Sequence, residues 1–100
     1  MTKPKDLCDE ALQIVGIDRR AEYGDVEESF DAIALLWSGI LGRETTGREV
    51  ALCMMALKLV RESHLHKRDN LVDLIGYTLC LNELAPEEPA AGEEGADGPG

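Results

Sequence analysis

Two pairs of carboxylates stand one helical turn apart in this chain of 100 residues, Glu27 with Asp31 and Asp69 with Asp73. On a helix an i, i+4 pair points the same way. Two such carboxylates can share a divalent cation such as Mg²⁺, which takes oxygen ligands. Lys58 and Arg61 supply the opposite charge. They interrupt a segment, 50–61, that is otherwise apolar, and a cation in apolar surroundings needs a carboxylate, a phosphate or an opening to water. Tyr23 and Tyr77 are rings with polar tips, able to stack on or hydrogen-bond a flat ligand. The chemistry shared by these residue types is the handling of a phosphorylated small molecule. Glu27, Asp31, Asp69 and Asp73 would hold one or two Mg²⁺ ions, the metal would polarise phosphoryl oxygens and activate a water, and Lys58 and Arg61 would take up phosphate charge, the arginine as a fork.

A plainer origin stays open for each charge. Acids in the first turn of a helix are favoured by its dipole, which covers Glu27, Glu28, Asp69 and part of the case for Asp73. Lys58 and Arg61 can simply pair with acids across a helix interface. Glu28 lies three residues after Asp25 and points away from the Phe30–Trp37 face, so it reads as a capping acid, and Glu27 and Asp31 are the better site candidates of that helix. His64 and His66 are two apart, do not share a helix face, and read as an exposed linker. Cys8, Cys53 and Cys80 are odd in number and widely spaced, which fits small apolar residues and not a disulfide framework or a zinc site. Met54 and Met55 read as core filler. No Ser-His-Asp set, P-loop or GxGxxG occurs.

These residues sit on helices. Leu7, Ala11, Ile14 and Val15 have helical spacing over residues 5–16, with Gly16 near the stop and a possible further turn over 18–23 before Gly24. Asp25 and Glu28 spell a capping box; Phe30, Ile33, Trp37, Ile40 and Leu41 follow as one face, and Gly42 lies near the end. Thr46 and Glu49 spell a second box, opening a helix to about His64. That helix is apolar on nearly every side, which suits burial among several neighbours. Asp69 or Asn70 caps the last helix, which runs to about Leu84 and is stopped by Pro86. Its main apolar face is Leu71, Leu74, Ile75, Thr78 and Leu81. The opposite stripe is Asp69, Asp73, Gly76 and Cys80, whose small residues leave room beside the acids. The expected fold is all-α, a compact bundle of four helices or of five if the N-terminal turn counts. The helical domain covers residues 1–86 and a disordered acidic tail covers 87–100, where only Glu, Pro, Ala, Gly and Asp occur.

Charge narrows the partners. The formal net charge is −10, and without the five acids beyond Pro86 the domain keeps 15 acids against 10 bases, or −5. A domain of that sign with no basic stripe is a poor ligand for duplex nucleic acid or an anionic membrane surface, whereas a small phosphorylated ligand needs only one local cationic pocket. The N-terminal Met-Thr-Lys-Pro-Lys has no apolar stretch behind it and no run of 18 apolar residues occurs, so the expectation is a cytoplasmic protein. A chain this short with a helix apolar all round is also expected to associate with copies of itself.

The strings Arg20-Ala-Glu-Tyr-Gly-Asp-Val-Glu-Glu-Ser-Phe30, Ile33-Ala-Leu-Leu-Trp37, Lys58-Leu-Val-Arg61 and Arg68-Asp-Asn-Leu-Val-Asp-Leu-Ile-Gly-Tyr77 resemble a group of short uncharacterised proteins of tailed bacteriophages and prophages. The resemblance covers about residues 7–84 and implies a phage origin and the cytoplasm of a bacterial host; that group is a domain of unknown function. More distantly the chain resembles the MazG-like all-α nucleoside triphosphate pyrophosphohydrolases, four-helix units that assemble as dimers or larger. Their ExxE and ExxD signatures bind the Mg²⁺ that engages a triphosphate. Glu28-Ser-Phe-Asp31 and Asn70-Leu-Val-Asp73 fall in similar places, with Asp for the second Glu, Asn for a liganding Glu, and Asp69 beside it. Three readings follow: a Mg²⁺-dependent nucleoside triphosphate pyrophosphohydrolase; a phage protein that binds a nucleotide or immune signal without cleaving it; and a helical protein-interaction module.

Overall fold

Four helical rods follow one another in the computed structural model, which describes residues 2–84 apart from the Tyr23 side chain. The expected stop at Pro86 and the acidic tail 87–100 lie outside the described residues. The first rod opens as α1, Pro4–Gln13, with Pro4 at a position where a missing N–H costs nothing. It does not stop at Gly16, as its sequence suggests. The backbone bonds widen to an i→i+5 pattern over Ile14–Asp18, and the rod resumes as α2, Arg19–Tyr23. Gly24, at φ 81°, ends it.

The third helix, α3, spans Val26–Leu41. Asp25 Oδ2 accepts from the N–H groups of Glu27 and Glu28 at 3.1 and 3.3 Å, a simple cap; among the described residues Glu28 makes no return bond, so the expected box is half formed. Gly42, in the left-handed region at φ 75°, closes the helix. The next helix, α4, spans Gly47–His64 behind a complete capping box: Glu49 N–H donates to Thr46 Oγ1 and Thr46 N–H to Glu49 Oε1. That N–H and the Arg43 guanidinium hold the Glu49 carboxyl below its usual range. The last helix, α5, spans Arg68–Glu83 and starts before either expected cap; Lys67 occupies the cap position without a side-chain bond.

Helix α5 is central, packed by α1 and the widened turn on one side and by α4 on another, with α3 against α4. The core gathers Val15, Val26, Phe30, Ala34, Val50, Ala51 and Cys80, with Trp37, Met54 and Tyr77 at its edge. Full burial of Phe30 contributes on the order of 2–3 kcal/mol. Three expectations about faces are corrected. In α5 the small stripe, Gly76 and Cys80, is buried with Val72, while Thr78 is exposed; small residues let helices approach, and that outranks the count of leucines. In α4 only Gly47, Val50 and Ala51 are buried, and Leu52, Leu57, Leu59 and Val60 face outward, because among the described elements α3 and α5 are the ones that flank it. In α3 the buried row is Val26, Phe30 and Ala34, whereas Ile40 is 80% exposed and Leu41 is exposed too, since the described helices in contact with α3, namely α4, α2 and α5, cover its inner row.

Candidate functional site

The turn from α4 to α5 is organised by one carboxylate. Glu62 Oε1 accepts from the Lys67 N–H and from Asn70 Nδ2, each at 3.1 Å, and Oε2 meets His66 Nδ1. Glu62 thereby ties the start of α5 back to α4, but its bonds go to the Lys67 N–H and the Asn70 side chain; the helix has no side-chain cap, the role expected of Asp69 or Asn70. The His66 contact, then the Lys67 N–H, hold its carboxyl below the usual range. Asn70, buried, spends its amide on this turn, and His66, expected as plain linker, is part of the same cluster.

Beside that turn lies an open cleft between the second half of α4 and the first half of α5. Four of the eight site residues expected from sequence line it: Lys58, Arg61, Asp69 and Asp73. His64 and Lys67 join them. Lys58 Nζ lies 2.7 Å from Asp73 Oδ2, and the side chains are 14% and 35% exposed. The plainer origin therefore holds for this pair: each neutralises the other across the α4–α5 interface. Arg61 and Lys67 make no side-chain ion pair with a described residue. Among the described residues the cleft thus keeps two cations and one acid, Asp69, without a side-chain partner.

The other expected residues stand elsewhere. Glu27 is exposed at the start of α3. Asp31 lies across from the first turn of α4: a Cβ built on Gly47 would sit 3.2 Å from Asp31 Oδ1 and from Phe30 Cβ. A carboxylate at that end of α4 complements the helix dipole, and a glycine at 47 lets α3 come this close. Lys58 is eleven residues further along α4, about 16 Å at 1.5 Å per residue. Glu27 and Asp31 do not join Asp69 and Asp73 in one centre, and among the described residues no three His, Cys, Asp or Glu side chains gather as a metal site.

Tyr77 lies one turn of α5 beyond Asp73, outside the cationic cleft. It shares a pocket with Asp73, Gly76, Cys80, Val15 and Arg19, so the small residues do leave room, though toward the core. Tyr77 and Arg19 also wall a second pocket with Ser29, Phe30, Trp37 and Met54. Sequence reasoning missed Arg19. Its Nη2 donates to Ser29 Oγ at 3.3 Å, its guanidinium lies 4.9 Å from the Phe30 ring centroid, and Phe30 meets Tyr77 edge to face at 6.4 Å. The signal was present: with the first rod continued through Gly16, Ala11, Val15 and Arg19 recur every four residues, a cation on a buried row. Burial pushes the Cys80 thiol up, which makes it inert at neutral pH. The Tyr23 side chain lies outside the described residues.

No described helix is long and apolar enough to cross a membrane, and no solved structure matches the chain. Two curated relatives do. The Gene 55 protein of Mycobacterium phage D29 is 34% identical over 90 residues, 89% of this chain and 59% of the relative. The Gene 55 protein of Mycobacterium phage L5 is 37% identical over 82 residues, 78% of this chain and 52% of the relative. The chain therefore spans little more than half the length of either, and both are phage proteins, as the sequence motifs suggested. Residues 6–85, nearly all of the helical bundle and every residue of the cleft, match the Domain of unknown function (DUF6378), and the chain belongs to that family.

Proposed function

We propose that this phage-family protein binds a phosphorylated small molecule, a nucleotide, in the α4–α5 cleft and does not cleave it. The observation that carries the reading is the pair Arg61 and Lys67, cations of one cleft that make no ion pair among the described residues of a chain with twice as many acids as bases. Carboxylates are abundant, so a cation left without one beside a concave surface is available to an anionic ligand. His64 adds a ring nitrogen at the same wall.

The hydrolytic reading keeps one specific support: Asp69 and Asp73 line the same cleft one turn apart and could share a single Mg²⁺. It is the weaker reading because Asp73 is engaged by Lys58 and because Glu27 and Asp31 stand too far away to complete a two-metal centre. Titration with nucleoside triphosphates, with and without Mg²⁺ and with a readout of released pyrophosphate, separates the two. Binding without turnover supports the first; Mg²⁺-dependent release of pyrophosphate replaces it with the second.

The protein is further proposed to act as a homo-oligomer. Leu35, Leu36 and Ile40 are 75%, 69% and 80% exposed on the outer side of α3, and Leu52, Leu59 and Val60 are exposed on α4. Three such side chains on one short helix already expose on the order of a few hundred Å², the size above which an apolar patch marks an interaction surface. With the α4 residues added, the area approaches the roughly 800 Å² per partner of a stable interface. A second copy brings the same apolar rows and needs no further partner.

A further inference from the structure

The pocket walled by Arg19 and Tyr77 has the make-up of a ring-binding site. Its floor is apolar and aromatic, with Phe30, Trp37 and Met54. Its polar groups are donors: the Arg19 guanidinium, held in place by Ser29 and by the face of Phe30, the Tyr77 hydroxyl and the Trp37 indole N–H. Among the described residues neither the Tyr77 hydroxyl nor the Trp37 indole makes a hydrogen bond. An apolar pocket with a few convergent polar groups is the usual form of a small-molecule site, and donors on its wall select a ligand edge rich in acceptors. The pocket and the cationic cleft are neighbours through shared walls. Asp73 lines both the cleft and a small pocket beside Gly76, and Tyr77 and Arg19 line both that small pocket and the aromatic one. From Arg61 in the cleft to Met54 in the pocket is seven residues of α4, about 10 Å of helix, within the reach of a nucleoside polyphosphate from phosphate to base.

We infer that the Arg19–Trp37–Tyr77 pocket holds the planar, acceptor-rich base of a nucleotide whose phosphates lie against Arg61 and Lys67, with the small pocket beside Gly76 as the passage between them. This rests on the binding role of the cleft proposed above. Trp37 is the single tryptophan of the chain, so its fluorescence reports on the pocket alone. The experiment titrates the full chain with the four common ribonucleoside triphosphates and with inorganic tripolyphosphate, following heat and Trp37 emission together. Tripolyphosphate should bind with emission unchanged, and at least one nucleoside triphosphate should bind tenfold or more tightly and quench Trp37. Gly76→Ala is the companion variant. Its Cβ would meet only Val15 Cγ2 at 3.4 Å, an ordinary contact, so the fold is kept while the passage narrows. It should weaken the nucleotide several-fold and leave tripolyphosphate unaffected. Equal binding of tripolyphosphate and every nucleotide with silent Trp37 overturns the base pocket and leaves the phosphate cleft standing. Indifference of the preferred nucleotide to Gly76→Ala overturns the passage and with it the two-part site. Heat from none of the ligands overturns both the pocket and the cleft.

Discussion

Replacing Asp73 by Asn tests what the Lys58–Asp73 contact does, because the shape is kept and the charge removed. The 2.7 Å pair has side chains 14% and 35% exposed, between two regimes. Breaking a fully buried pair costs about 3–5 kcal/mol and an exposed one contributes about 0–1 kcal/mol, so a pair with one well-covered and one half-covered partner should cost about 2 kcal/mol. For a domain of this size each kcal/mol lowers the melting temperature by about 4–8 °C, so Asp73→Asn should melt roughly 8–16 °C below wild type. Lys58→Met should cost less, about 1 kcal/mol, because the more exposed Asp73 can turn to water. The double variant should be no worse than Asp73→Asn alone, since no covered cation is stranded. Thermal melts by circular dichroism give all three numbers. Ligand binding adds an independent sign. If the cleft is an anion site, Asp73→Asn removes a repulsive charge, frees Lys58 and tightens tripolyphosphate several-fold, whereas a Mg²⁺ site at Asp73 predicts that Mg²⁺-dependent binding collapses. An Asp73→Asn protein that melts within about 2 °C of wild type refutes the structural role of the pair.

Further outcomes follow from other contacts. Gly47→Val should cost about 2 kcal/mol, since even a Cβ would stand 3.2 Å from Phe30 Cβ; an unchanged melting temperature would show that α3 can retreat from α4 at no cost. Glu62 and Glu49 titrate below the usual 4.5 in the folded chain, so the unfolded chain takes up protons first. Their contribution is therefore complete above about pH 4.5 and is lost as pH falls through their lower folded values. In a series of melts from neutral to acid pH, Glu62→Gln should lower stability at neutral pH and flatten the acid limb, and an unaltered limb would remove Glu62 from that account. Light scattering at micromolar concentration should give at least twice the 10.9 kDa of one chain, with Ile40→Asp reverting it to monomer. A monomeric wild type contradicts the association proposed for α3 and α4, and an oligomer unaffected by Ile40→Asp moves the interface elsewhere.

Local chemistry was readable in the sequence and packing was not. The Thr46–Glu49 box and the Asp25 cap depend on residues three apart, and both form, the second without its return bond. The all-α class follows from spacing that repeats along each rod. The stop at Gly16 failed because a helix can widen by one residue and continue, which no local signal forbids. The facing of α5 was reversed because both its sides are apolar; Gly76 and Cys80 went inward by letting helices approach closely, a property of the neighbour as much as of the helix. Lys58, Arg61, Asp69 and Asp73 were found as one group because charge on an apolar helix must meet charge on the next. Glu27 and Asp31 were grouped with them on spacing alone, and spacing does not say at which end of a partner helix a residue lies. Arg19 escaped because its row is visible only once the rod is known to run past Gly16.

The most direct measurement is calorimetric titration of wild type and of the Arg61→Gln, Lys67→Gln double variant with a panel of nucleoside triphosphates, in the presence and absence of Mg²⁺. Both cations are on the cleft wall and outside the core, so the variant should melt within about 0.5 kcal/mol of wild type, as surface changes do. At least one nucleotide should bind wild type without Mg²⁺ and be recovered intact, and the double variant should lose about 3–6 kcal/mol of that binding, one charge-assisted contact per cation. Equal binding by the two proteins, or no binding by wild type, would contradict the binding role of the cleft.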